Sequence, residues 1–166
     1  MIEIIVAASL NNAIGKDNKL LMPLPSDLKR FSDITTGHTV VMGRKTWESL
    51  PDKVRPLPKR FNVVLTRNPD YQAAGADDVL QSLDGVLEHH GYKRRLFVIG
   101  GADVYQQALP YASIIHMTRI HQEISGDSFF PVIDDGEWRL VAESEKHHHN
   151  GVPFSYQTFT RYRIIL

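Results

Sequence analysis

The sequence predicts an α/β domain on a mostly parallel sheet, with antiparallel strands closing one edge. Three observations predict it. Short, nearly continuous apolar runs, as in strands covered on both faces, alternate with segments of helical periodicity. Glycines follow several of these runs and lead into helix starts, at Gly43 and at Gly100-Gly101. The C-terminal part changes to apolar–polar alternation around the turn-forming His149-Asn150-Gly151.

Taken in order, residues 2–8 form an apolar strand. Residues 24–36 form a helix, with Pro25, Ser26 and Asp27 in its first turn and Gly37 past its end. Residues 39–42 are a buried strand and 44–50 a short helix; 61–66 are a third strand and 82–90 a helix. The strand 95–99 enters Gly100-Gly101, the helix 102–109 stops at Pro110, and 113–120 is a further strand. Residues 138–144 and 154–164 pair antiparallel across the turn. No repeat, linker or low-complexity tract interrupts the chain, so residues 1–166 read as one domain, with 51–58 as a rim or hinge loop.

Composition narrows the function. Nineteen Lys and Arg balance 19 Asp and Glu, which argues against nucleic acid or an anionic membrane as partner. Without cysteine there are no disulfides, thiolate metal sites or cysteine nucleophiles. Met1-Ile2-Glu3 puts an acid where a secretory signal carries basic residues, and the following apolar run is too short to span a bilayer. A cytoplasmic monomer acting on small molecules is expected.

Asp27 is the most informative carboxylate. At 100° per residue it lies about 40° from Phe31 and about 20° from Ile34, within the apolar stripe of its helix. An acid there can simply satisfy first-turn N–H groups. On an apolar wall it can instead bind an amidine-like group by paired hydrogen bonds, with a raised pKa. Gly100-Gly101 suits a pyrophosphate held by backbone N–H groups, although a bare Gly-Gly also serves plain tight turns and the G-x-G-x-x-G fingerprint is absent. The segment from Gly37 to Lys45 imitates a P-loop, but five residues separate its glycines and the β-branched run between them belongs in a strand. Arg44, Lys45 and Thr46 at the following helix start still suit a terminal phosphate or a solvated surface. His89-His90 and His147-His148-His149 are expected at the solvated surface; adjacent strand histidines face opposite ways and cannot share one metal ion.

Seven segments, in order and register, resemble bacterial chromosomal-type dihydrofolate reductases. They are Ile5-Val6-Ala7-Ala8, Asn12-Ala13-Ile14-Gly15-Lys16-Asp17-Asn18, Leu24-Pro25-Ser26-Asp27-Leu28-Lys29-Arg30-Phe31, Val41-Met42-Gly43-Arg44-Lys45-Thr46-Trp47-Glu48-Ser49, Arg55-Pro56-Leu57-Pro58-Lys59-Arg60-Phe61-Asn62, Val98-Ile99-Gly100-Gly101-Ala102-Asp103-Val104-Tyr105 and Gly126-Asp127-Ser128-Phe129-Phe130-Pro131. The resemblance implies an eight-stranded mixed sheet with flanking helices, binding NADPH and 7,8-dihydrofolate in adjoining clefts. It implies hydride transfer to C6 and protonation at N5, promoted by Asp27 hydrogen-bonded to the pterin and supported by Thr118. Ile5, Val6, Ala7, Leu28, Phe31, Leu50, Leu57 and Ile99 would form the apolar walls, and Arg60 would grip the glutamate α-carboxylate.

For NADPH, the resemblance implies Ala7, Ile14, Gly15 and Tyr105 at the nicotinamide. It places Gly100, Gly101, Ala102, Asp103 and Val104 at the pyrophosphate turn, with Gly43, Arg44, Lys45 and Thr46 at the second phosphate-binding helix start. Arg44, Thr66 and Arg67 would hold the 2′-phosphate. Met22 departs from the pattern, standing in Leu20-Leu21-Met22-Pro23 where the family carries a tryptophan that orders water beside the pterin. Restoring that ring would either quicken proton delivery or overpack a loop already adapted to the thioether. A folate- or dinucleotide-binding module without turnover and a reductase of a ribosylated pyrimidine are the rival readings. Asp27, Thr118 and Arg60 together favour dihydrofolate.

Overall fold

A computed structural model describes residues 1–91 and 93–162. Along the chain run β1 (Ile2–Ala8), β2 (Ala13–Lys16), β3 (Lys19–Leu20), α1 (Pro25–Thr35), β4 (Thr39–Gly43), α2 (Arg44–Ser49), β5 (Phe61–Leu65) and β6 (Asp78–Leu80). They continue with α3 (Leu83–His90), β7 (Leu96–Gly100), α4 (Ala102–Ala108), β8 (Ala112–Ile120), β9 (Ser128–Phe129), β10 (Trp138–Glu143), β11 (His147–His149) and β12 (Val152–Arg161). The main sheet has the order β10-β12-β8-β1-β7-β4-β5-β6, with β11 on β12, and β3-β2-β9 form a smaller sheet. Neighbours from β8 across to β6 are parallel, whereas β12 joins β8, and β10 joins β12, antiparallel.

Apolar β1 lies at the middle of this order because both of its faces are covered. Ile4, Val6 and Ala8 point into one layer, closed by Val86 of α3 and Val104, Tyr105 and Ala108 of α4. Ile5 points into the other, with Val40, Met42, Phe97 and Trp47 of α2, against which Phe31 and Ile34 of α1 pack. Every parallel strand ends at the same edge, so the exits of β1, β4, β5 and β7 converge there, where open α/β sheets bind ligands.

The antiparallel pair β10 and β12 closes one edge as expected, with the short β11 added beside it on β12. Other expectations change. The turn at 149–151 joins β11 to β12 rather than β10 to β12: Asn150 and Gly151 have φ of 49° and 77°, the left-handed geometry of a tight hairpin, and such a turn links only adjoining strand ends. Residues 163–164 of the expected last strand lie outside the described residues.

The two histidine groups are not merely solvated. The His90 ring lies against Phe61, with Nε2 2.8 Å from Asp78 Oδ2. His147 packs its ring at 5.5 Å from Phe154 and 5.3 Å from Tyr156, while His148, facing the other way, is exposed. Glu3, fully buried on β1, is held by Arg95 through two hydrogen bonds of 2.7 and 2.6 Å and by His116 at 2.6 Å.

Candidate active site

Asp27 enters α1 in its first turn, after Pro25 has set the helical φ. No side chain caps this helix, so Asp27 is not serving the first-turn amides as an N-cap. It points instead toward β8, where the Thr118 hydroxyl donates a 2.5 Å hydrogen bond to Asp27 Oδ1. Thr118 is buried and in register with Ala7 of β1, which brings the carboxylate to the middle of the sheet. Burial raises the Asp27 pKa above the ordinary carboxylate value, against the lowering effects of the Thr118 hydrogen bond and the Arg30 charge. The net direction is the one a carboxylate on an apolar wall should show.

The wall itself is the layer that holds Ile5, Leu57, Phe31, Leu50 and Ile99. Leu28 is 48% exposed and stands at its rim. Arg60 closes the far end: its Nε donates to Pro58 O at 2.9 Å, its Nη1 donates to Thr35 Oγ1 at 3.1 Å, and its guanidinium lies over the Phe31 ring. These bonds leave other N–H groups of its fork free for an anion. Val6 does not join this wall. Strand alternation turns its side chain to the opposite layer, beside Val41 and Val104.

A second cleft, of about 550 Å³, opens at the strand exits. Ala7, Ile14, Gly15, Gly43, Arg44, Lys45, Thr46, Thr66, Arg67, Gly100, Gly101, Ala102, Asp103, Val104 and Tyr105 all line it. Two of its glycines resist a side chain. A Cβ on Gly43 would come within 3.2 Å of Val104 Cγ2, and one on Gly100 (φ +131°) would meet Thr46 Oγ1 and Tyr105 Oη. Tyr105 is anchored by its hydroxyl, which donates to Ile5 O at 2.9 Å, and burial raises its pKa.

Sequence reasoning missed part of this cleft. Lys16, Asn18, Lys19 and Leu20 line it from the β2–β3 hairpin, and Asn18 Nδ2 donates to Lys45 O at 3.2 Å, tying the hairpin turn to α2. Asp17 and Asn18, both with positive φ, form the turn; Asp-Asn was the available signal. Asp127 and Ser128 also line the cleft, and Asp127 Oδ2 accepts from Asp17 N at 3.0 Å. Met22 lies outside it, packed on the cluster of Leu24, Ile120 and Phe154.

The donor set and the bare glycine edges fit a dinucleotide phosphate: cations at Arg44, Lys45 and Arg67, hydroxyls at Thr46 and Thr66, and backbone reachable at Gly43 and Gly100-Gly101. Comparison with known proteins agrees. The family model for dihydrofolate reductase matches residues 1–161. The dihydrofolate reductase of Bacillus subtilis is 43% identical over 157 residues, 95% of this chain and 91% of that protein. That of Neisseria meningitidis is 38% identical over 162 residues, covering 97% and 98%. A solved structure of dihydrofolate reductase from Enterococcus faecalis, complexed with NADP(H) and RAB-propyl, superposes with a TM-score of 0.89 at 36% identity, covering 98% of this chain and 97% of that one. An internally braced carboxylate beside an apolar wall, a cleft at the strand exits lined with cations, hydroxyls and glycines, and relatives matched over nearly their full length lead to one assignment: the chain belongs to the dihydrofolate reductase family.

Proposed function

We propose that this NADPH-dependent dihydrofolate reductase holds the pterin of its substrate on Asp27 and delivers the N5 proton with that carboxylate's help. The observation that carries the reading is the Thr118–Asp27 hydrogen bond at the centre of the sheet. It fixes one carboxylate oxygen and leaves lone pairs for a pterin edge, whose 2-amino and N3 donors match a carboxylate bidentately. Ile5, Leu28, Phe31, Leu50, Leu57 and Ile99 exclude water around the rings, and Arg60 takes the glutamate α-carboxylate in its planar fork. When bound, NADPH supplies the hydride that goes to C6. Ala7, Ile14, Gly15 and Tyr105 wall the nicotinamide end of the cleft. Gly100 to Val104 and Gly43 to Thr46 offer backbone N–H groups and side chains to the phosphates, and Arg44, Thr66 and Arg67 bind the 2′-phosphate. Met22 contributes through the packing of its loop rather than by a hydrogen bond.

The same reading makes the protein a cytoplasmic monomer with residues 1–166 as a single domain. Its support is that Asp27, the apolar wall and the cleft at the strand exits all come from one copy, and one sheet links most of the strands. No helix among the described residues is long and apolar enough to cross a membrane.

The test is Asp27→Asn, followed at 340 nm with NADPH and dihydrofolate. Turnover at neutral pH should fall by roughly two or more orders of magnitude, with part regained in acid where substrate arrives protonated. NADPH binding should persist. Near-wild-type turnover at neutral pH would refute the assignment.

A further inference from the structure

Arg30 is the charged group nearest this chemistry that the roles above do not use. It follows Asp27 by three positions on α1, a spacing that puts two side chains on one helix face, with Cβ atoms about 5–6 Å apart. Its guanidinium lies 4.4 Å from the centroid of the Tyr156 ring. Tyr156 sits on β12 directly opposite Thr118 of β8, and its hydroxyl donates to Ser26 Oγ at 3.3 Å. The ring is therefore a ledge, tied to the first turn of α1, that seats the cation beside the Thr118–Asp27 pair. Among the described residues Arg30 forms no salt bridge, whereas its neighbour Lys29 is paired with Asp33 at 2.6 Å on the wet face.

We propose that Arg30 is a positioning residue for the reduction: stacked on Tyr156 beside Asp27, its charge favours the carboxylate form of Asp27 and so sets the pH range over which the enzyme turns over. The inference rests on the Asp27 reading and adds a second group to it. Burial works against the carboxylate, and after the larger effect of the Thr118 hydrogen bond Arg30 is the cation that partly offsets it; burial in turn lowers the pKa of Arg30, and the Asp27 charge supports it. The other groups facing Asp27 do not replace that charge. Thr118 from β8 supplies a neutral hydroxyl, and Tyr105 from α4, its pKa raised by burial and by Asp27 itself, stays protonated. Tyr156 from β12 contributes an aromatic face, which holds a planar guanidinium better than it holds an ammonium.

The experiment measures single-turnover hydride transfer against pH for the wild type, Arg30→Met and Arg30→Lys, with carboxyl NMR titration of Asp27 in the NADPH complexes. Arg30→Met should move the kinetic midpoint and the Asp27 titration upward together, by about half to one pH unit. Arg30→Lys should restore most of the shift. In an Asp27→Asn background, Arg30→Met should leave the profile of the residual activity where it was. Unmoved midpoints in folded Arg30→Met would overturn the inference, and so would an equal shift in Arg30→Lys, which would assign the effect to packing. If Arg30→Met fails to fold, Arg30→Gln takes its place with the same two outcomes. Failure of the Asp27 reading shows separately, as full neutral-pH turnover in Asp27→Asn alone.

Discussion

Replacing Arg44 by alanine should erode the preference of the enzyme for NADPH over NADH by about an order of magnitude. Arg44 opens α2 at the edge of the cofactor cleft, with Lys45 and Thr46 beside it and Arg67 across from it. Its one ion-pair partner among the described residues, Glu48, is 4.0 Å away, and the two side chains are 46% and 44% exposed. Such a pair is worth under about 1 kcal/mol, so the guanidinium is free to turn to a phosphate. A hydrogen bond between charged partners contributes about 1.5–3 kcal/mol, and exposure of nearly half the side chain argues for the lower part of that range. At about 1.4 kcal/mol per factor of ten, KM for NADPH should rise about 10- to 30-fold, while KM for NADH, which has no 2′-phosphate, should change less than about threefold. Initial rates at 340 nm with each cofactor measure both, and Glu48→Gln supplies a control that should slightly favour NADPH by removing a like charge. Equal losses with the two cofactors would refute the reasoning and assign Arg44 to the pyrophosphate or to the fold.

Glu3→Gln should cost about 3 kcal/mol near neutral pH in urea denaturation, the low end for a broken buried pair because Arg95 is half-exposed, since it breaks a buried carboxylate's hydrogen bonds with His116 and Arg95. Burial raises the Glu3 pKa, but His116 and Arg95 outweigh it and hold it below the ordinary value; its stabilisation is therefore present above the unfolded pKa and lost as pH falls through the folded one, so the gap should close in acid. Met22→Trp should overpack the cluster of Leu24, Ile120 and Phe154, lowering stability by about 1–3 kcal/mol with turnover flat or reduced; a rise in kcat at neutral pH would show instead that the thioether limits proton delivery.

Strong local signals made most of the core elements legible. The apolar runs of β1, β4, β5 and β7 needed no tertiary information, and Pro25 and Gly37 bracketed α1. The short strands β2, β3, β6, β9 and β11 escaped because two to four residues carry no period, and only pairing with distant segments makes them strands. The inward face of Asp27 followed from helical angles, and the phosphate edge from glycines at strand exits. Val6 packs in the layer opposite Ile5 and lines the cleft at the strand exits, a placement hidden in the sequence because a fully apolar strand does not reveal which of its residues faces which layer. Arg30 escaped because its partner ring lies 126 positions away, on a strand whose register no local pattern fixes.

Glu3 and Asp27 share a sheet face and a chemistry, yet they carry opposite consequences. Glu3 has both oxygens bound, by a guanidinium fork and a histidine, and its folded pKa is lowered. Asp27 has one hydroxyl on one oxygen and no other hydrogen bond among the described residues, and its folded pKa is raised. A raised pKa means that the folded state binds the proton more tightly than the unfolded chain; stability from this group is full below the unfolded pKa and is lost as pH rises through the folded one. Asp27 is thus a cost to the fold at neutral pH, as befits a carboxylate proposed to serve a ligand rather than the fold. Asp27→Asn keeps an oxygen for the Thr118 hydroxyl while removing the charge. It should unfold at the same or a higher temperature than the wild type near neutral pH, with the difference vanishing in acid, even as turnover collapses. A variant less stable at neutral pH and equal in acid would show that the carboxylate holds the fold together, and Asp27 would then be structural in the way Glu3 is.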